Sequence, residues 1–103
     1  MTRIEELKKF LSEDPNDTFS SYALALEYVK LNHINDAISL LEKLLQREPE
    51  YLAAYYQLGK LFEMNHDFAK SSLTFGKGME VARKKNDQKT FNELQSALDL
   101  AEE

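Results

Sequence analysis

The chain contains no cysteine, which excludes disulfide bridges, thiolate metal sites and cysteine nucleophiles. That is compatible with a reducing cytoplasm. Long apolar runs are missing too. Nothing approaches the ~20 residues of a membrane span, and the opening MTRIEELKKFL carries charge throughout where a signal peptide would be apolar. A cytoplasmic location with no membrane partner is expected. Positive charge is never concentrated: the net charge is −5, and the longest basic run is Arg83 to Lys85. Phosphate backbones and anionic lipid surfaces need a dense basic face, so neither nucleic acid nor membrane is expected as a partner. Only two prolines and three glycines punctuate the 103 residues, and strand-like alternation is absent. With 43% hydrophobic and 30% charged residues, the chain has the balance of one soluble domain with a modest core.

Apolar residues recur at helical spacing throughout, so the fold class is all-α. The helix stops are evenly placed. Pro15 and Pro49 lie 34 residues apart, and proline ends a helix because it lacks an amide donor and restricts the residue before it. Sliding the chain against itself by that offset aligns Tyr22 with Tyr56, Leu24 with Leu58, Ala25 with Gly59 and Tyr28 with Phe62. Further on, Ile34 meets Phe68, Ala37 meets Ser71, Leu41 meets Phe75 and Leu45 meets Met79. Backwards, Leu7 and Leu11 precede Leu41 and Leu45 by the same 34 residues. Small residues match small and large match large, which marks a repeat of packing shape.

Tyr55-x2-Leu58-Gly59-x2-Phe62, followed by Ser71-x3-Phe75, resembles the tetratricopeptide repeat and its pattern W-x2-L-G-x2-Y, A-x3-F, P. The earlier copy reads Ser21-x2-Leu24-Ala25-x2-Tyr28, then Ala37-x3-Leu41 and Pro49. The resemblance covers about residues 18 to 85. It implies an α-solenoid of six antiparallel helices in a right-handed stack. Repeat 1 is expected over 18–51 and repeat 2 over 52–85. Arg83 stands where the second repeat would have its proline, so the helix before it is expected to run on to Lys84.

The flanks read as caps. Residues 2–13 match only the second half of a repeat, and residues 88–102 match only a first half after a two-residue slip. Phe91, Leu94 and Leu98 then take the places of Tyr55, Leu58 and Phe62, with Gln95 in the place of Gly59. A bulky polar residue there suits a helix on which nothing further packs, as a solenoid end requires. Met1 and the two caps lead to the expectation of a complete single-domain protein.

The dense aromatic stretch EPEYLAAYYQLGKLF divides into two stripes, because residues three or four apart share a helix face. Tyr55, Leu58, Gly59 and Phe62 form the inter-helix seam, and Gly59 implies a close helix approach. Tyr56 and Lys60 lie on a neighbouring face. In the family that this chain resembles, that face lines the concave groove where peptides bind. Its counterparts in the first repeat are Phe19, Tyr22, Leu26 and Val29, which leave one helix apolar around most of its circumference. Such a helix is either covered or bound to something.

Three readings follow. An apolar or amphipathic peptide or protein partner could occupy the face, the C-terminal helix could cover it, or a second copy could pair with it as a homodimer. The candidate partner-binding residues are Phe19, Tyr22, Leu26, Val29, Tyr56 and Lys60, with Lys30 and Glu63 at the rim. Members of the family that grip acidic chaperone tails use a clamp of lysine, asparagine and arginine. Here Tyr22 and Leu26 occupy two of those places, which disfavours that ligand.

Chemistry finds little support. His33 and His66 are the only histidines, and each falls in a turn between the two helices of its repeat, without the spacing of a metal pair. Asn32 and His66 occupy the place where the family usually has a left-handed glycine. The stretch TFGKGME lacks the surroundings of a phosphate loop, and Gly78 reads as relief of crowding on the second helix. No nucleophile turn or acid pair can be assembled. The expectation is therefore a non-enzymatic adaptor or scaffold without cofactors.

Overall fold

A computed structural model describes residues 1–102 and contains six helices and no strand among them. They are α1 (Arg3–Glu13), α2 (Thr18–Lys30), α3 (Ile34–Arg47), α4 (Leu52–Met64), α5 (Phe68–Lys84) and α6 (Gln88–Ala101). The all-α expectation is met, and α5 runs to Lys84 as its missing proline foretold.

The helix starts are fixed by side chains that accept orphan backbone amides. Thr2 and Glu5 form a capping box at α1. Asp17 accepts from the Ser20 amide at 3.3 Å, Asp67 from that of Lys70 at 3.2 Å and Asp87 from that of Thr90 at 3.0 Å. Helices α3 and α4 begin at His33 and Tyr51 without a side-chain cap.

Three helix ends share one backbone device. Asn32, His66 and Asn86 adopt left-handed φ values of 61°, 59° and 57°. The amide after each donates back to the last turn: His33 to Tyr28 at 2.8 Å, Asp67 to Phe62 at 2.8 Å and Asp87 to Ala82 at 2.9 Å. The left-handed residues donate in turn to Val29, Glu63 and Arg83. This is the Schellman closure, and Asn tolerates its geometry better than most residues.

The chain divides into two compact units, Met1–Glu48 and the part from Pro49 onward. In the first, α2 packs on both α1 and α3. In the second, α5 packs on both α4 and α6, and α4 also touches α6. Packed neighbours joined by three or four residues must run antiparallel.

Buried residues of the first unit include Leu7, Leu24, Ala25, Ala37 and Leu41. Ser21 stands where the second repeat has Tyr55, and its Oγ accepts from Arg47 Nη2 at 3.2 Å.

Gly59 and Gly78 are required by close approach in the second unit. A Cβ on Gly59 would fall on the Phe75 ring, and one on Gly78 would lie 2.7 Å from Tyr55 Cβ and 2.9 Å from Leu94 Cδ1. The sequence-based reading of both glycines as packing residues accounts for this. Phe75 is fully buried, Ser71 Oγ donates to the Gly59 carbonyl at 2.9 Å, and the Tyr55 hydroxyl donates to the Pro49 carbonyl at 2.6 Å. Gln95, in the glycine's place on α6, donates instead to Asp99 Oδ1 at 2.9 Å.

Candidate functional site

Helix α2 carries two apolar stripes because TFSSYALALEYVK has hardly a charged residue to give it a wet side. One stripe, with Ser20, Ser21, Leu24 and Ala25, is buried. The other holds Phe19, Tyr22, Leu26 and Val29, within about 80° of one another at 100° per residue. Phe19 is 68% exposed, and Tyr22, Leu26 and Val29 are half-buried. At the end of the helix, Lys30 pairs with Glu27 at 3.0 Å, and Tyr28 stacks on His33 with centroids 6.0 Å apart.

Tyr56 and Lys60 belong to the second unit. The Tyr56 ring is 37% exposed and leans on Phe75, centroid to centroid 6.3 Å. Lys60 Nζ lies 3.3 Å from Glu63 Oε1. Its charge is therefore partly satisfied within its own helix turn, a pairing that the sequence-based reading of Lys60 as a partner-binding residue did not anticipate.

These two residues line an open recess between α4 and α6, whose far wall is Glu93, Ser96, Ala97 and Leu100. A second recess continues past Leu100 to Phe68, Ser72, Glu63 and Glu102. Leu100 and Phe68 are 63% and 48% exposed. The α6 wall was missed from sequence because α6 was read as a cap, or as a cover for the α2 stripe, and not as a surface facing Tyr56 and Lys60. The signal for it was Leu100 itself, an apolar residue three positions from Ala97 and seven from Glu93 on one helix face.

No group of three or more metal-ligating side chains occurs among the described residues, and His33 and His66 lie at turns in different units. No described helix is long and apolar enough to cross a membrane.

A scan against protein-family models finds no match, and a search of curated proteins also finds none. Solved structures do match. The solution structure of a tetratricopeptide repeat domain protein from Salinibacter ruber is 42% identical, covering 86% of this chain and 90% of that one with a TM-score of 0.82. A crystal structure of a tetratricopeptide repeat domain protein from the same organism is 41% identical, covering 84% and 97% with a TM-score of 0.78. The TPR2B domain of yeast Sti1, in a complex with pHsp70, has a TM-score of 0.88 over 96% of this chain and 79% of that one. At 16% identity that last likeness is one of fold alone.

Proposed function

Because this chain belongs to the tetratricopeptide-repeat family, we propose that it is a non-enzymatic module that binds a peptide or protein partner of apolar or amphipathic character. The observation that carries the reading is the second apolar stripe of α2, where Phe19 stands 68% exposed beside the half-buried Tyr22, Leu26 and Val29. A solvated helix normally spends such a face on charged residues. The recess of Tyr56 and Lys60 against α6 offers the second unit's own contact surface. The Sti1 TPR2B domain in its complex with pHsp70 is an instance of the same fold engaged with another molecule. Apolar side chains in such a contact contribute about 25 cal/mol per Å² buried, less the cost of ordering the partner.

The test begins with a displayed peptide library selected on the wild-type protein. Selected peptides are then titrated against Phe19→Asp and Leu26→Asp variants whose helicity is first shown intact by circular dichroism. A loss of tenfold or more, about 1.4 kcal/mol, is expected for each. Folded variants that bind as tightly as wild type would overturn the assignment to this face.

A further inference from the structure

The chemistry of the recess in the second unit narrows the partner further, on the premise that the protein is a peptide-binding module. We propose that the α4–α6 recess takes a cationic amphipathic segment, one whose lysines or arginines flank an apolar cluster.

The floor is apolar and accessible. Tyr56, Leu100 and Phe68 present 37%, 63% and 48% of their surfaces. The charged residues around that floor are Lys60 and Glu93 in one recess and Glu63 and Glu102 in its continuation. Three carboxylates thus face one ammonium, and that ammonium is already paired with Glu63 at 3.3 Å. The remaining basic residues of the second unit do not line either recess.

An incoming carboxylate would meet Glu93 and Glu102, and the one lysine that lines the recesses, Lys60, is already paired with Glu63. An incoming lysine or arginine would meet Glu93 or Glu102 while its methylene stem covers Tyr56 or Leu100. The ring face of Tyr56 adds a further attraction for a cation. Glu93 on α6 and Glu102 at its C-cap lie nine residues apart, on opposite sides of the axis at 100° per residue, so each recess contributes its own carboxylate.

The experiment titrates three labelled synthetic peptides of one length and leucine pattern into the full chain. They carry lysine, glutamine or glutamate at the flanking positions, and amide chemical shifts locate each contact. The lysine peptide is expected to bind tightest, to shift resonances of Tyr56, Ala97 and Leu100, and to weaken as salt is raised. Glu93→Lys and Glu102→Lys should each weaken it roughly threefold. Glu42→Lys, an equal charge change at an exposed site on α3, should leave it unchanged.

Equal binding of all three peptides in the recess would overturn the charge assignment while leaving the binding-module reading intact. So would a loss from Glu42→Lys as large as that from Glu93→Lys, since the attraction would then belong to the net charge. If none of the three binds there, the proposal fails together with the recess as a contact surface.

Discussion

The ring of Phe75 occupies the space that a side chain on Gly59 would need. Helix α4 can therefore approach α5 only because residue 59 stops at its Cα, and the cost of a helical glycine is offset by the fully buried ring. Alanine normally improves a helix over glycine by about 1 kcal/mol, but here overpacking should prevail. Gly59→Ala is expected to lower unfolding free energy by about 1–3 kcal/mol. Gly76, with nothing within 4 Å of its added Cβ, supplies the control: Gly76→Ala should raise stability by up to about 1 kcal/mol. Urea titrations of the two variants check the opposite signs.

His66 holds φ at 59°, where a β-carbon crowds the following carbonyl. Glycine carries no such penalty, so His66→Gly is expected to stabilise by about 0.5–1 kcal/mol. Asn86→Ala should destabilise by about 1 kcal/mol, since Asn visits this region more readily than Ala. Shifts of the urea midpoint at constant slope are the readout.

The Tyr55 hydroxyl is satisfied by the Pro49 carbonyl at 2.6 Å. Tyr55→Phe keeps the ring packing and removes that bond, at an expected cost of about 1 kcal/mol. Burial raises the pKa of Tyr55. The stability linked to its neutral form is therefore fully present below the ordinary tyrosine value and lost as pH rises through the raised one. The alkaline fall in melting temperature should be shallower in Tyr55→Phe than in wild type.

The backbone amide of Thr90 donates to the Asp87 carboxylate, and so does the Thr90 hydroxyl at 2.8 Å. Together they hold the Asp87 pKa below its ordinary value of 3.8. A depressed carboxylate contributes stability that is present above its unfolded pKa and withdrawn as pH falls through the folded one. Thermal melts from about pH 5 down to about pH 2 should show wild type losing more stability than Asp87→Ala, which starts lower and has no such acid limb.

Most of the fold was legible because the 34-residue offset aligns residue volumes, and volume is what a helix seam selects. Gly59 as a residue of the helix seam follows from that register, and the left-handed positions Asn32 and His66 from the resemblance to the family's repeat. The third left-handed turn did not, because Asn86 falls outside it. Helix α5 has 17 residues against 14 in α3, and a Schellman closure ends it where the first repeat uses Pro49.

How the chain is packed around Ser21, at the front of the first repeat, was equally opaque. That Arg47 reaches Ser21 depends on one long side chain choosing a rotamer, which no spacing rule encodes. The same holds for Lys60, whose turn toward Glu63 is a local choice among several. Of the candidate surface, the residues on α2 were readable from their helical spacing. The α6 wall was not, since Leu100 and Phe68 meet only through the packing of three helices.

At the three Schellman ends, main-chain atoms close the loop by themselves and ask only for one tolerant residue. Leu31, the position preceding Asn32, is exposed and outside that requirement. Evolution, or an engineer grafting a short epitope, can rewrite that hairpin tip while the interior remains unaware of the change.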